Sequence, residues 1–411
     1  MTTPLLGDRV PLEVGDVAHG GHCVARLDGL VVFVRYALPG ERVLAEITEV
    51  RKGYLRADAV EVHTASPDRV SAPCPYARPG GCGGCDLQHV SAHAQRRWKA
   101  AVLREQLHRL GGLAEDELDA LRIRVAALPG GSPDGLLGWR SRVRYAVDAE
   151  GRAGLLAHRS HRVVPVERCL IATPEIQRLP VTGRQWPDAD AVETVASSGG
   201  DVVVRTRRGD TVTRVRGPAQ VREHAVGRQW TLPPGVFWQG HPAAADTLAG
   251  AVTELLAPRA GERAWDLYAG AGLFGAALAG AVGTDGVVTL VEAAPAAAAA
   301  ARENLGDLPA VRVVRSGVEA AFRRRLPRPV DLVVLDPPRA GAGAAVVRAV
   351  VAAGPRAVAY VACDPAAFAR DVASFRSAGW SLAALRAYDF FPMTHHVECV
   401  GLLEPASPVR D

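Results

Sequence analysis

Lysine is almost absent from this 411-residue chain, because Lys52 and Lys99 are the two lysines among 48 basic residues. Nearly all the positive charge is therefore carried by arginine. Together with heavy use of alanine, glycine and valine, this bias is typical of coding in a GC-rich genome. The net charge of +4 is too small by itself to indicate a nucleic-acid-binding protein.

Long apolar runs are also missing. No stretch is apolar over the roughly 20 residues that a membrane helix needs, and the N-terminus lacks the apolar core of a signal peptide. These absences argue against a membrane protein and predict a cytoplasmic one. Disulfides are rare in that compartment, so the seven cysteines are expected to be ligands, nucleophiles or core residues.

The length allows two or three domains, and the first segment, residues 5–63, has a β-rich pattern. Strand-like runs at 30–34 and 42–47 are separated by the turn Leu38-Pro39-Gly40, as in small antiparallel barrels. Several barrels of this kind bind nucleic acid. A purely structural barrel is the alternative.

Basic residues recur in the next part of the chain. A helical pattern at about 92–110 carries Arg96, Arg97, Lys99, Arg104 and Arg109 against a single acid, Glu105. A second β-rich stretch, about 138–236, opens with an alternation that would place Arg140, Arg142 and Arg144 on one face of a strand. Both runs are predicted to be either solvated faces or tracks for RNA phosphates.

From about residue 240 a strand–turn–helix rhythm repeats, which predicts a doubly wound parallel sheet. Alanine-rich helical stretches separate the candidate strands, which are Arg263–Tyr268, Val287–Glu292, Val311–Val314, Asp331–Leu335 and Ala357–Ala362.

The first of these strands leads into a glycine-rich turn. Gly270, Gly272 and Gly275 form a G-x-G-x-x-G pattern, so an NAD-dependent dehydrogenase must be considered. However, Asp266 stands four residues ahead of Gly270, in a sequence that resembles the first motif of class I S-adenosylmethionine methyltransferases. Glu292 ends the next strand, where an acid accepts hydrogen bonds from ribose hydroxyls.

Two further strand ends carry reactive groups. Asp336-Pro337-Pro338 follows the fourth strand and is typical of methyltransferases that act on a planar base or amide. Ligands bind at the carboxyl ends of parallel strands, so Asp266, Tyr268, Glu292, Asp336 and Cys363 are expected around one crevice.

Cys363 and Glu398 could form a nucleophile and a base. Carbon 5 of a pyrimidine attacks a sulfonium methyl group only after a thiolate has added to carbon 6, and a base must then remove the carbon 5 proton. Transfer to an exocyclic amine would need no thiol, and Cys363 would then be a core cysteine. Glu398 would then be an ordinary loop acid.

The other cysteines are concentrated in one segment. Cys74, Cys82 and Cys85 lie among glycines with C-x2-C spacing at the end, which indicates a metal site in a reducing compartment. A fourth ligand would be Cys169, or His89 or His93. The spacing does not distinguish zinc from an iron–sulfur cluster.

These motifs together resemble the RNA (uracil-5-)-methyltransferase family, specifically its iron–sulfur-containing 23S rRNA branch, over nearly the whole chain. The resemblance implies that residues 5–63 are a TRAM domain that binds RNA. It further implies that Cys363 is the nucleophile and Glu398 the base. The implied contacts to S-adenosylmethionine are Gln239, Tyr268, Gly270, Gly272, Glu292 and Asp336. The implied ligands of a [4Fe–4S] cluster are Cys74, Cys82, Cys85 and Cys169.

The prediction is thus an α/β protein with a class I S-adenosylmethionine methyltransferase domain (a Rossmann-like doubly wound sheet) at 239–411. An oligonucleotide-binding-type β-barrel is expected at 1–65. A β-rich central domain with the cluster is expected at 66–238, with its helical segment, about 92–112, packing on the catalytic domain.

The predicted activity is methylation of carbon 5 of a uridine in 23S rRNA. The protein is expected to be a monomer that binds RNA and no membrane. The alternatives are the same reaction on tRNA, or an RNA-binding iron–sulfur protein with a vestigial methyltransferase fold.

Overall fold

The computed structural model describes residues 5–129 and 132–406; the predicted domain ranges also include residues 1–4, 130–131 and 407–411, which lie outside that description. The N-terminal strands close into a barrel in the order β1-β2-β3-β5-β4. Alternating apolar residues, such as Val32 and Val34, fill its interior. The predicted barrel is confirmed, with strands β1 (Arg9–Ala18), β2 (His22–Leu27), β3 (Leu30–Arg35), β4 (Arg42–Arg51) and β5 (Tyr54–Thr64).

A helical segment and an antiparallel sheet follow. The sheet has the order β12-β11-β10-β7-β8-β9, and a separate hairpin leads on to the next domain. The elements are α1 (Ala92–Arg109), α2 (Glu115–Ala120), β6 (Val125–Ala126), β7 (Arg142–Val147), β8 (Ala153–Leu156), β9 (Val163–Pro165), α3 (Pro174–Gln177), β10 (Ala191–Ala196), β11 (Val202–Arg208), β12 (Thr211–Arg216), β13 (Val221–Ala225) and β14 (Arg228–Leu232).

The C-terminal part is the predicted doubly wound sheet, with strand order β17-β16-β15-β18-β19-β21-β20-β6. Strands β15 to β19 are parallel, whereas β21 is inserted antiparallel between β19 and β20. The elements are α4 (Ala244–Leu256), β15 (Arg263–Leu267), α5 (Leu273–Val282), β16 (Val287–Glu292), α6 (Pro295–Asn304), β17 (Val311–Arg315), α7 (Val318–Arg323), β18 (Leu332–Leu335), α8 (Ala344–Val351), β19 (Ala357–Ala362), α9 (Pro365–Ser377), β20 (Trp380–Tyr388) and β21 (Glu398–Pro405).

Adjacent strands β15 and β18 are the point where the strand order reverses. From β15 the chain proceeds outward through β16 and β17, and it then returns to β18 on the other side of β15. In doubly wound sheets such a switch point opens a crevice at the carboxyl ends of the strands. The ends of β15, β16, β18 and β19 therefore define where a ligand can bind. Among the described helices, none combines the length and apolarity needed to cross a bilayer.

The helix α1 packs on the C-terminal part of the chain. It packs against α9, and β6 pairs in parallel with β20 as the eighth strand of the sheet. Its basic side chains are largely neutralised within the protein: Arg97 pairs with Asp68, Arg104 pairs with Glu115, and Lys99 is buried against Asp389. A structural role is therefore favoured for this run over the predicted RNA contact.

The alternating arginines of the central domain also differ from the prediction. Arg140 precedes β7, and Arg142 is half-buried, where it donates to the carbonyls of Pro234 and Val236 and pairs with Glu223 at 3.1 Å. Arg144 is exposed. The three side chains therefore do not form one basic stripe, because Arg142 holds the sheet to the segment that leads into the catalytic domain.

Replacing Lys99 tests the buried ion pair. Nζ of Lys99 lies 2.6 Å from Oδ1 of Asp389, and both side chains are almost completely buried. Lys99→Met leaves the aspartate buried without a counter-charge, so we expect the free energy of unfolding to fall by about 3–5 kcal/mol. Urea unfolding followed by tryptophan fluorescence measures the loss.

The matched control is Lys52→Met, which changes the other lysine, exposed in the turn between β4 and β5. We expect its stability to equal that of the wild type. Adding Asp389→Leu to Lys99→Met should recover most of the loss, because a buried apolar pair replaces a buried ion pair with little cost. A Lys99→Met variant as stable as the wild type would contradict the assignment.

Candidate active site

The glycine turn after β15 forms the floor of the crevice. Gly270 has φ +55° and Gly272 has φ +96°, and residues with a Cβ rarely adopt these backbone conformations. A Cβ at Gly272 would lie 2.6 Å from Cδ1 of Leu305, and one at Gly275 would lie 2.7 Å from Cδ1 of Leu290. A Cβ at Gly270 would meet no atom within 4 Å. The turn thus packs tightly against the sheet on one side and is open at Gly270.

Two carboxylates brace this turn. Oδ2 of Asp266 accepts a hydrogen bond from the backbone N–H of Gly275 at 2.8 Å, and Oε2 of Glu292 accepts one from Gly270 at 2.8 Å. Asp266 is fully buried, and its Oδ1 atom has no hydrogen-bond partner among the described residues. Buried polar atoms are normally paired, so this atom points to a polar ligand. The turn and its acids therefore fit a nucleoside group.

The thiol and the base are brought together by strand register. In the pairing of β19 with β21, Ala362 lies opposite Cys399. Extending that antiparallel register by one residue places Cys363 opposite Glu398, with an expected Cα separation of about 4.5–5.5 Å. Cys363 is half-buried and Glu398 is 5% exposed. Two residues 35 positions apart in sequence thus meet at the edge of the crevice.

Burial dominates the titration of this group. Burial is the largest of the effects that raise the pKa of the Cys363 thiol to about 11; the nearby carboxylates of Glu398, Asp336 and Asp364 also raise it, whereas Arg339 lowers it. Burial also raises the pKa of Glu398, with Asp336 adding to the effect and Arg339 opposing it. A buried thiol beside a buried acid at a strand edge is a candidate nucleophile and base.

The remaining acids of the crevice are perturbed in the same direction. Burial raises the pKa of Asp336 to about 7. It raises that of Asp266 to about 8, and the charges of Asp336 and Glu292 act in the same direction. Electrostatic interactions link Asp266 with Asp336 and Glu292, and Glu398 with Asp336 and Cys363, so these five side chains lie in one region.

Tyr268 and Gln239 occupy different positions. Tyr268 follows β15 directly, has φ +65°, and is half-buried beside the turn. Gln239 lies in the link between β14 and α4, where it lines a cavity of about 290 Å³ with Ser141, Glu223 and His241. Among the described residues, no hydrogen bond joins Gln239 to the acids at the strand ends. Tyr268 therefore lies beside the glycine turn, and Gln239 lies in this cavity.

Four predicted metal ligands lie close to one another. Burial is the largest of the effects that raise the pKa of Cys82 to about 11, and the charges of Cys169 and Cys74 act in the same direction. Cys85 is coupled in the same way to Cys169 and Cys82. Backbone N–H groups point at the sulfurs, since Gly84 donates to Sγ of Cys82 at 3.4 Å. The predicted fourth cysteine thus joins the loop, although it lies 84 positions after Cys85.

The loop itself is tightly folded. A Cβ at Gly81 would lie 2.2 Å from the carbonyl oxygen of Tyr76, and a Cβ at Gly83 would lie 2.5 Å from the backbone nitrogen of His158. Nevertheless, in residues 5–129 and 132–406 no group of three or more His, Cys, Asp or Glu side chains has an arrangement that could hold a metal ion. The cysteines are therefore gathered, but a metal centre is not shown.

Sequence reasoning missed Arg339, Asp364 and His19. Arg339 is the cation that acts on both Cys363 and Glu398, and it could have been inferred from its place directly after Asp-Pro-Pro. Asp364 follows the nucleophile and caps α9 by accepting from Ala367 at 2.8 Å. His19 approaches Asp364 at 3.5 Å from the barrel, a contact that no local sequence pattern indicates.

Comparisons with known proteins agree with this geometry. A family model of the TRAM domain matches residues 5–60, and a model of tRNA (uracil-5-)-methyltransferase matches residues 326–406. An uncharacterised RNA methyltransferase of Streptomyces avermitilis is 48% identical and covers 98% of this chain and 99% of its own. One of Corynebacterium efficiens is 38% identical over 96% of this chain and 94% of its own.

The fold has a solved counterpart. A Pyrococcus abyssi tRNA (uracil-54, C5)-methyltransferase in complex with S-adenosyl-L-homocysteine superposes with a TM-score of 0.70 and 22% identity, covering 95% of this chain and 99% of that one. The sheet order and the crevice define a class I methyltransferase fold with an N-terminal TRAM barrel. The chain belongs to the family of RNA methyltransferases that these relatives represent, and its C-terminal part, residues 326–406, matches the tRNA (uracil-5-)-methyltransferase model.

Thiol reactivity tests the electrostatics of the site. In the free protein we expect the rate of Cys363 alkylation by iodoacetamide to rise with pH towards a pKa of about 11, above the value of about 8.5 of an exposed thiol. Glu398→Gln removes a nearby negative charge and should make alkylation several-fold faster at a given pH above 8. Peptide mass spectrometry identifies the modified cysteine.

Glu404→Gln, a change near the other end of β21, is the matched control and should leave the rate unchanged. A rate that levels off below pH 9 in the wild type would contradict the assignment, as would a Glu398→Gln variant with wild-type reactivity.

Proposed function

We propose that this protein transfers a methyl group from S-adenosylmethionine to carbon 5 of a uridine in RNA through a covalent adduct with Cys363. The observation that carries the proposal is the pairing of β19 with β21 up to Ala362 and Cys399, the neighbours of Cys363 and Glu398, at the edge of a crevice that also holds the glycine turn. A thiol and a base in this arrangement can activate a weakly nucleophilic carbon for alkylation.

The chain's residues supply the following steps. The thiolate of Cys363 forms a bond to carbon 6 of the uracil, which makes carbon 5 nucleophilic. S-adenosylmethionine, when bound, supplies the methyl group that carbon 5 takes. The carboxylate of Glu398 then removes the carbon 5 proton, and the bond between sulfur and carbon 6 breaks to restore the thiolate. The raised pKa of Glu398 makes its carboxylate a stronger base.

The methyl donor fits the crevice. We propose that Gly270 and Gly272 allow the donor to approach the backbone, that Glu292 accepts from its ribose, and that Tyr268, Asp336 and Gln239 contact it. Orphaned Oδ1 of Asp266 and the open space at Gly270 support this placement. A positive charge bound beside Cys363 would lower the pKa of its thiol, so donor binding favours the thiolate.

The substrate class follows from the family, and the surface between the first two domains supports it. A cavity of about 850 Å³ between the barrel and the central domain is lined by Arg35, Arg51, Arg56, Arg159 and Arg162, against Glu46, Glu49 and Asp58. An excess of arginine beside aromatic rings suits a single-stranded RNA backbone and its bases. We propose that RNA binds along this cavity, and that the target uridine leaves its stack to reach Cys363.

We propose 23S rRNA as the substrate, by resemblance to that branch of the family. The same reaction on tRNA is the second candidate, which the solved tRNA (uracil-54, C5)-methyltransferase and the tRNA family model favour. The domain division 1–65, 66–238 and 239–411 is likewise our proposal.

We also propose that Cys74, Cys82, Cys85 and Cys169 hold a [4Fe–4S] cluster. A four-iron cluster keeps its ligand sulfurs further apart than a single ion does, so thiols that interact without meeting at one point remain compatible with it. N–H groups directed at Sγ of Cys82 and Cys169 are the kind of bond that surrounds cluster sulfurs. The proposed methyl transfer routes no electron through this group.

Trapping experiments test the mechanism. RNA that contains 5-fluorouridine should form a covalent adduct with the wild type, because fluorine at carbon 5 cannot be removed as a proton. Cys363→Ala should form none, whereas Cys23→Ala, which changes a buried barrel thiol, should behave as the wild type. Denaturing gels followed by mass spectrometry measure the adduct.

With ordinary uridine RNA, Glu398→Gln should accumulate the same adduct, because elimination needs the carbon 5 proton to leave. Fast turnover in that variant would remove Glu398 from the role of base. An adduct that persists in Cys363→Ala would exclude the proposed nucleophile.

The composition of the protein tests the cluster. Anaerobically purified protein should contain about four iron and four sulfide per chain and absorb visible light. Cys169→Ser should lower the iron content, whereas Cys23→Ser should not. Zinc without iron or sulfide would overturn the cluster, and the cysteines would then form a zinc site.

A further inference from the structure

The loop that leads into β21, residues 389–397, carries the proposed base Glu398 at its end and is fixed from outside the methyltransferase domain. Its central residue, Met393, has φ +67° and is buried. A non-glycine residue in that region is strained by about 1–3 kcal/mol and persists only where surrounding contacts impose it. The contacts that impose it come from one segment, residues 86–99, which we call the clamp.

Both backbone groups of Met393 are held by the clamp. Its carbonyl oxygen accepts hydrogen bonds from the N–H groups of Asp86 and Leu87, each at 3.0 Å. Its N–H donates to Oε1 of Gln95 at 2.9 Å. Gln95 is fully buried, and its amide nitrogen donates to the carbonyls of Leu87 and Val90 within the clamp.

Side chains hold the loop on either side of Met393. On one side, Nζ of Lys99 reaches Asp389 at 2.6 Å and the carbonyl of Phe391 at 3.0 Å. On the other side, Nδ1 of His395 lies 2.6 Å from Oδ2 of Asp86. The loop is therefore bound along its length by a segment about 300 positions earlier in the chain.

The same region also brings the barrel to the active site. A Cβ on Gly21 in the turn between β1 and β2 would lie 2.8 Å from Cβ of Asp86 and 3.1 Å from Cβ of His395. In that turn, His19 approaches Oδ2 of Asp364, the residue after Cys363, at 3.5 Å. Thus the barrel, the clamp and the loop 389–397, which we call the active-site loop, meet at the pair formed by Asp86 and His395.

We propose that Asp86 and His395 are positioning residues, which fix the active-site loop so that the carboxylate of Glu398 faces Cys363. This inference rests on the proposed methyl transfer. Among the described residues, neither side chain forms a hydrogen bond with Cys363 or Glu398, so we assign the contribution of the pair to geometry; a shift of about 1 Å in a reacting group costs up to about 100-fold in rate.

The test compares His395→Ala, His395→Asn and the wild type. His395→Ala removes the side-chain contact to Asp86 and keeps only the bond that the backbone N–H of residue 395 donates to Oδ2 of Asp86 at 3.3 Å, so we expect faster hydrogen–deuterium exchange in residues 389–397 and a fall in kcat of about 10–100-fold. Affinity for S-adenosylmethionine and for the RNA should stay unchanged. His395→Asn keeps an N–H donor near the position of Nδ1 and should restore most of both effects.

Asp86→Ala removes the same pair from the other side. If the two residues act through each other, the double variant should lose no more rate than the worse single variant. The matched control is Asp307→Ala, which breaks a surface ion pair between the central and catalytic domains, Arg228 with Asp307 at 2.5 Å, and should change neither measurement. Additive losses in the double variant would overturn the proposal.

Two other outcomes would also overturn it: unchanged exchange in His395→Ala, or faster exchange at wild-type kcat. If His395→Ala failed to fold, the comparison of His395→Asn with Asp86→Ala would decide between the same results. The exchange measurement needs no substrate, so it remains informative if the wild type methylates no RNA. In that case the proposed function fails, while the clamp is judged by exchange alone.

Discussion

The antiparallel insertion of β21 between β19 and β20 is the constraint on which the active site depends. Parallel strands place their carboxyl ends on one edge of the sheet, so Asp266, Glu292, Asp336 and Cys363 reach that edge by strand order alone. Glu398 reaches it because β21 runs in the opposite direction and begins where β19 ends. One reversed strand thus brings the proposed base close to a thiol that strand order had already placed.

Burial controls the titration of the groups at this edge. The crevice gathers carboxylates and a thiol with Arg339 as the cation that acts on Cys363 and Glu398, and burial raises the pKa of Asp266, Asp336, Cys363 and Glu398. A raised pKa keeps each group protonated up to a higher pH than in water. In the proposed reaction, a cationic donor bound beside Cys363 would shift this balance towards the thiolate.

Much of the fold could be predicted because it depends on local sequence patterns. The β-rich N-terminal runs, the glycine turn and the alternating strands and helices each depend on neighbouring residues, and the barrel and doubly wound sheet are both as expected. The roles of Lys99 and Arg142 could not be predicted in this way. Their partners, Asp389 and Glu223, lie 290 and 81 positions away, so a basic run and a structural ion pair look alike in sequence.

The same limit applies to the site. Motif spacing identified Cys363 and Glu398 as candidates, but the register that joins them, and the contacts of Asp86, Gln95 and Lys99 with the active-site loop, are long-range. Because Asp86 follows Cys85 directly, a group that orders the cysteine loop would also order the clamp. An ordered cysteine loop would thus affect the position of the active-site loop through the clamp, without electron transfer.

The most direct test of the central claim is the mapping of 5-methyluridine in rRNA and tRNA from a strain that lacks this protein. We predict that one uridine loses its methyl group, that the wild-type chain restores it, and that Cys363→Ala does not. Unchanged 5-methyluridine at every position in the deletion strain, or restoration by Cys363→Ala, would contradict the account.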